Sequence, residues 1–302
     1  MSGALVVGEA LVDVVRRPGE PEVAHAGGSA ANVAVALGRL GRPVSLATCF
    51  ADDDHGRLIS SHLDRSGVAL AVDPHVVQAT STALATIGAD GAATYDFQLD
   101  WRPALSSTDV GVPLVVHVGS LGALLPPGAD DVERLVGVLR ATSTVSYDVN
   151  ARPQVTGTGA DVRARVERLA SLSDVVKASD EDLLALWPGR SVEESLVALA
   201  GLGPAVVVAT RGGEGASYVV AGVVHHAPAV RAEVVDTIGA GDTFAAGLVD
   251  SLWSAGLLGA AQRERLHGLT AEDWQGHVAR AATLASVTVS RPGADPPWAH
   301  EL

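Results

Sequence analysis

The chain has 302 residues, 47% hydrophobic and 19% charged, so it has the material for a large core and is not a disordered polypeptide. A formal charge of −14 excludes a protein that grips nucleic acid, or an anionic membrane surface, through a basic face; a pocket within it can still be locally positive. The single cysteine, Cys49, excludes an intrachain disulfide and a cysteine-built zinc site.

The N-terminal "MSGALVVGEALVDVV" has no basic segment and no long apolar run, and no stretch reaches the ~20 apolar residues of a membrane helix. A cytoplasmic protein is expected. Six apolar runs, at 4–8, 44–48, 114–119, 144–149, 174–179 and 205–210, read as strands. They are continuous rather than alternating, as strands covered on both faces should be. Helical patterns cover 30–40, 55–66, 130–141, 161–171, 191–201 and 243–255. The alternation predicts an α/β fold, a doubly wound and mostly parallel sheet with helices on both faces. Residues 10–26 and 80–101 alternate in period two instead, with "GADGAAT" as a hairpin signal. They predict antiparallel strands outside the main sheet, a small β lid. The tract "SRPGADPPWAHEL" (290–302) reads as a Pro-rich end without helix. No linker or repeat divides the chain, so 1–302 is expected to form one domain.

The stretch "VVDTIGAGDTFAAGLV" (234–249) sets a glycine-rich run against a helix start. Gly239 and Gly241 free the backbone so that successive N–H groups can converge, and the helix beyond adds its unpaired N–H groups and dipole. Asp242 either caps that helix or serves as a general base at the rim of an anion cradle. In "HAGGSAANVAVALGRLG" (25–41), Gly27 and Gly28 make a turn, Ser29 is the expected N-cap, and Asn32 falls in the first helical turn. Read alone, this is also a plain strand-to-helix connection. His225 and His226, adjacent on a strand-like run, point to opposite faces and do not form a metal site.

These two glycine-rich segments, roughly 200 residues apart, resemble the signature segments of the ribokinase-like (PfkB) carbohydrate kinases. The resemblance implies an ATP-dependent kinase. Asp242 would be the base, and Gly239, Ala240 and Gly241 would supply the N–H groups that stabilise the transferring phosphoryl group. "ATRGGEG" (209–215) resembles the family's nucleotide segment on Thr210, Gly212 and Gly215, although alone it is only a strand and a Gly-rich turn. "VKASDEDLLAL" (176–186) stands where the family has N-x-x-E, with Ser179 for Asn and Asp182 for Glu. Asp182 would then approach Mg²⁺ through water, or simply belong to an acidic helix start. Lys177, the only lysine, would reach a phosphate. "ARAATLASVTVSRPGAD" (279–295) resembles the family's final helix and strand near the adenine. Some members bind a monovalent cation such as K⁺ near the position of Asp236.

The acceptor pocket is expected between sheet and lid. Asp13 is placed to bond sugar hydroxyls, with Gly27, Gly28 and Asn32 on the opposite wall. Tyr95 and Phe97 share a lid face, where one would stack on a sugar or both would simply pack. Asp148, Asn150 and Arg152 in "YDVNARP" follow a strand at its carboxyl end, where α/β sheets bind ligands. The pattern resembles the fructokinase and 2-keto-3-deoxygluconate kinase branch. Fructose is the expected acceptor; a keto-deoxy sugar acid, ribose or a nucleoside is the alternative, and so is a sugar-binding regulator without catalysis. Nucleic acid and membranes are not expected partners, and the family implies a homodimer that covers the lid edges.

Overall fold

The computed structural model describes residues 3–17, 19–87 and 93–302. The strands are β1 (Ala4–Val7), β2 (Leu11–Arg16), β3 (Val23–Gly27), β4 (Val44–Ala47), β5 (Val68–Leu70), β6 (Thr82–Ile87), β7 (Ala93–Gln98), β8 (Val115–Gly119), β9 (Thr144–Asp148), β10 (Val175–Ser179), β11 (Val206–Thr210), β12 (Ala216–Val220) and β13 (Val223–Ala227). They form a nine-stranded sheet, ordered β13-β12-β11-β10-β9-β8-β1-β4-β5, and a four-stranded sheet, ordered β3-β2-β6-β7. From β5 across to β11 every ladder of the large sheet is parallel; β12 and β13 close one edge as an antiparallel hairpin.

The continuous apolar runs behave as buried parallel strands. Within β1, Ala4 and Val6 face one core while Leu5 and Val7 face the other. In β11, Val206 and Val208 divide from Val207 and Ala209 in the same way. The first core packs helices Ser29–Arg39, Ala240–Ser254 and Ala271–Val289 on the sheet. The second packs helices Gly128–Leu139, Ala160–Leu172, Asp180–Leu186 and Val192–Ala200 on the opposite face. Every predicted strand and helix of the large sheet is present within a few residues.

The small sheet comes from the two expected stretches, but its ladders are mixed. β2 pairs β3 and β6 pairs β7 antiparallel, whereas β2 and β6 run parallel. A parallel pair needs a long crossover. The chain supplies it by returning to the main sheet, through helix Ser29–Arg39, β4, helix Asp54–Arg65 and β5, before β6 begins. The tip of the predicted hairpin, 88–92, and the Tyr95 side chain lie outside the described residues.

The C-terminal end corrects one expectation. No strand follows the last helix; a single helix runs from Ala271 to Val289 and then turns. A Thr270–Asp273 capping box starts it, and its inner face lies against helix Ala240–Ser254, where Gly247 leaves room for Ala281. That packing outweighs the strand preference of Val287 and Val289. A short 3₁₀ turn, Ala299–Glu301, lies within the Pro-rich end. Among the described residues no helix is long and apolar enough to cross a membrane.

Candidate active site

The sequence reading leaves Asp242 between two roles, and its side chain does not take the capping one. Gly239 occupies the N-cap in the left-handed region, at φ 75°, where a side chain would be strained and would also meet Ala294. The helix therefore starts at Ala240, three residues before the apolar pattern begins, and Asp242 sits inside its first turn. No side chain caps this helix. The Asp242 carboxylate, 7% exposed, turns instead to the start of helix Ser29–Arg39. Ser29 Oγ donates to its Oδ1 at 2.7 Å, and Asn32 Nδ2 donates to its Oδ2 at 2.8 Å. Two helix N-termini thus face each other across one carboxylate, in the arrangement that favours anions.

Ser29 corrects a second expectation, because it is not the N-cap. Gly28 is, at φ 98°, and its α-carbon lies so close to β1's exit that a Cβ would come within 2.6 Å of the Glu9 carbonyl oxygen. With its own helix left uncapped, the Ser29 hydroxyl is free to cross to Asp242. Its backbone N–H donates to Glu9 Oε1 at 3.2 Å, while Gly122 N–H donates to Glu9 Oε2 at 2.7 Å. Glu9 is nearly fully buried, and burial raises its pKa against the pull of backbone hydrogen bonds from its own N–H and that of Gly122, and of Arg152.

The strand end after β9 completes this side. Asn150 lies at φ 36°, a left-handed conformation that Asn tolerates better than most residues. Its amide Nδ2 donates to Ser29 Oγ at 2.8 Å and, at 3.4 Å, to Asp242 Oδ1. Arg152 Nη1 donates back to Asn150 Oδ1 at 2.6 Å. Asp13 on β2 lies against Gly27, where any Cβ would collide with its carboxylate. Burial raises its pKa, His25 and Arg152 lower it, and Asp242 raises it. Asp13, Gly27, Gly28, Asn32, Asn150, Arg152 and Asp242 thus occupy one neighbourhood, with Asp13 beside Gly27 rather than across from it, because β2 and β3 are paired strands.

Beneath the cradle lies a buried charge pair. Lys177 on β10 and Asp148 on β9 are partners in the parallel ladder, and Lys177 Nζ donates to both Asp148 oxygens at 3.0 and 2.9 Å. Burial works against the ammonium, but Asp148, Asp182 and Asp242 outweigh it and raise the Lys177 pKa. Nearby His117 is pushed down to about 3 by burial and by the Lys177 charge, so it adds no second cation at neutral pH. Gly241 explains itself here. Its backbone is helical and needs no glycine, but a Cβ would lie 3.0 Å from Lys177 Nζ. The missing side chain brings the ammonium up to the cradle. We expect Gly241→Ala to fold, yet to lose on the order of 10-fold in turnover as the ammonium is displaced. Steady-state kinetics beside a melting curve checks this.

The nucleotide candidates sit along neighbouring strand ends. Ser179 and Thr210 are paired across β10 and β11, and Gly212 opens a 3₁₀ turn, Gly212–Glu214, with Gly215 at its C-cap. Asp182 does not face the cradle openly. Its Oδ1 accepts Ala151 N–H and its Oδ2 accepts Ser179 N–H, closing a capping box with the Ser179 hydroxyl. The acidic helix-start reading therefore describes its contacts. Phe97 packs with Leu11, Ala83 and Leu121 and borders a cavity of about 450 Å³ that Trp101 and Gln154 also line. His226 bonds Ser217, and the His225 ring lies beside Tyr218, so the two histidines part as expected.

Ser29, Glu9 and the partnership of Asp148 with Lys177 were missed from sequence. The last had a signal: one acid in "TVSYDV" and one lysine in "DVVKAS", both inside strands too apolar to hold a lone charge. Ser29 and Glu9 had none beyond adjacency to the glycines.

A doubly wound sheet thus brings a carboxylate to a Gly-Ala-Gly helix start, close to a buried ammonium, and the sequence holds no G-x-x-x-x-G-K-[ST] segment. The model of the pfkB family of carbohydrate kinases matches residues 1–301. A fructokinase of Rhizobium leguminosarum bv. trifolii is 35% identical over 271 residues, covering 84% of this chain and 81% of that protein. An aminoimidazole riboside kinase of Salmonella typhimurium is 28% identical over 273 residues, covering 86% of each. The structure of a Vibrio cholerae fructokinase bound to fructose, ADP and calcium superposes with a TM-score of 0.81 at 26% identity, over 97% of this chain and 94% of that one. The chain belongs to the pfkB family of carbohydrate kinases.

Proposed function

We propose that the protein transfers the γ-phosphoryl group of ATP to a hydroxymethyl group of fructose. The observation that carries the mechanism is that Asp242 leaves its own helix uncapped and is held by Ser29 and Asn32 at the mouth of the cradle. The sugar hydroxyl gives its proton to Asp242 as its oxygen attacks the γ-phosphorus. The bond from phosphorus to the β,γ-bridging oxygen breaks, and ADP leaves. The N–H groups of Gly239, Ala240 and Gly241, with the Lys177 ammonium beneath, stabilise charge on the phosphoryl oxygens.

Asp13, Asn150 and Arg152 bind the sugar hydroxyls in this reading, and Phe97 closes the lid side. Thr210, Gly212, Gly215 and Ser179 line the nucleotide. Among the described residues no group of three or more His, Cys, Asp or Glu side chains is placed to hold a metal ion. That suits Mg²⁺ bound mainly by nucleotide phosphates and water, where it supplies charge neutralisation. Asp182 would touch it through water only, since its oxygens already accept backbone N–H groups. Asp236 accepts from Ile238 and Gly293, which ties the loop where we place a monovalent cation; a Vibrio cholerae fructokinase variant has been solved with potassium.

The small sheet acts as a lid in this reading and pairs with a second copy, and the enzyme works in the cytoplasm. Fructose is favoured because fructokinases recur among its relatives, from Rhizobium leguminosarum at 35% to Vibrio alginolyticus at 30% identity. The riboside kinase relative makes a nucleoside the second reading. An ADP-release assay with fructose, 2-keto-3-deoxygluconate, ribose and adenosine tests it. Fructose should give the highest kcat/KM. A riboside preference would replace the acceptor, and sugar binding without turnover on any of the four would reject the kinase.

A further inference from the structure

We propose that Ser29 is a positioning residue for the Asp242 base, aimed by Asn150 and anchored through Glu9. The inference rests on the phosphotransfer reading of the site. Ser29 is the first residue of its helix, and its hydroxyl is 8% exposed with the rest of the residue. A serine there ordinarily caps locally or turns to solvent. This one does neither. The Asn150 amide donates into Ser29 Oγ at 2.8 Å, so the hydroxyl's own hydrogen is directed the other way, onto Asp242 Oδ1 at 2.7 Å. The Ser29 backbone cannot drift from this line, because its N–H is held by Glu9, and Glu9 is held in turn by Gly122 N–H on the far side of the chain's first crossover.

The consequence is directional. Asn32 alone occupies Oδ2, while Ser29 occupies Oδ1 with Asn150 Nδ2 farther off at 3.4 Å, so Oδ2 is the oxygen with a side left for the incoming hydroxyl. Donors of this kind favour the ionised carboxylate, the form a general base needs. The Arg152–Asn150 bond at 2.6 Å extends the chain to the sugar wall. A sugar that draws on Arg152 or Asn150 therefore acts on the base through Ser29. Among the described residues, Asp13, Asp148 and Lys177 also feel the Asp242 charge, and a change at Ser29 leaves all three in place.

Ser29→Ala and Ser29→Thr in the full chain test the proposal. For Ser29→Ala we expect kcat to fall about 10-fold, the cost of one hydrogen bond to a charged group, while KM for ATP stays within about two-fold. The acidic limb of the kcat–pH profile should move to higher pH, and Ser29→Thr, which keeps the hydroxyl, should move it back. Loss of folded protein would lower kcat without moving the limb. An unmoved limb in Ser29→Ala overturns the inference, as does a normally melting Ser29→Thr protein that performs no better than Ala. A carboxyl ¹³C titration, with the Asp242 signal assigned by its absence in Asp242→Asn, reads the same displacement without substrate. It keeps the two readings apart. A kinase that is active and lost in Asp242→Asn, with no displacement in Ser29→Ala, sinks only the positioning role. Displacement in a protein that never turns over sinks the phosphotransfer reading and with it the catalytic meaning of Ser29.

Discussion

Asp242→Asn should lower kcat at least ~10²-fold, the lower end of what a general base contributes. Binding of sugar, read by calorimetry, should survive. The substitution is nearly isosteric, but its electrostatics are not innocent. Ser29 Oγ and Asn32 Nδ2 both donate to Asp242, and Asn150 donates into Ser29. An asparagine amide supplies only one acceptor, so one of its faces presents N–H to a donor. With the side chain only 7% exposed, that mismatch should cost on the order of 1–3 kcal/mol of stability. The melting point and the turnover should therefore fall together, the second far more than the first. Turnover close to that of the unaltered protein would remove Asp242 from the chemistry.

The largest loss of stability is expected at Lys177. Lys177→Met keeps the length and apolar stem of the side chain but leaves Asp148, fully buried, without its cation. Breaking a buried pair from one side typically costs ~3–5 kcal/mol. At roughly 2–4 °C per kcal/mol for a chain of this order of size, the melting point should drop by about 10 °C. Turnover should fall as well, because the ammonium beneath Gly241 is gone. The double variant Lys177→Met with Asp148→Leu separates these effects. Removing both charges removes the stranded one, so much of the stability should return while activity stays low. A double variant that regained activity would show that the pair only holds the strands together.

Much of the architecture was legible because the chain is locally consistent. The runs "ALVVG" and "AVVVAT" are too apolar and too short for anything but strands covered on both faces, and β1 and β11 divide their side chains between two cores as that requires. Gly28 announced a turn and Gly239 a backbone freed of Cβ, and both take positive φ where an added Cβ would meet a neighbour at 2.6 Å. The small sheet was legible as period-two segments, but its β2–β6 ladder was not. Alternation says that a segment is a strand; it carries nothing about which strand lies beside it. The final helix was misread for a related reason. "SVTV" has the residues of a strand, yet it continues the helix, with Thr288 Oγ1 donating to Thr243 Oγ1 of helix Ala240–Ser254.

Residue types and spacing alone settled that this chain is an α/β protein with a glycine-rich helix start and a carboxylate inside it. Backbone freedom and burial are local properties, and local sequence reports them. What Asp242 does was decided elsewhere. The residues that hold it lie more than 200 positions away at Ser29 and Asn32, and its cradle's charge comes from a lysine whose partner is 29 positions back. A cap and a base can occupy the same sequence position. The fold removes the cap, by leaving the helix of Asp242 uncapped, and sets a second helix start opposite it.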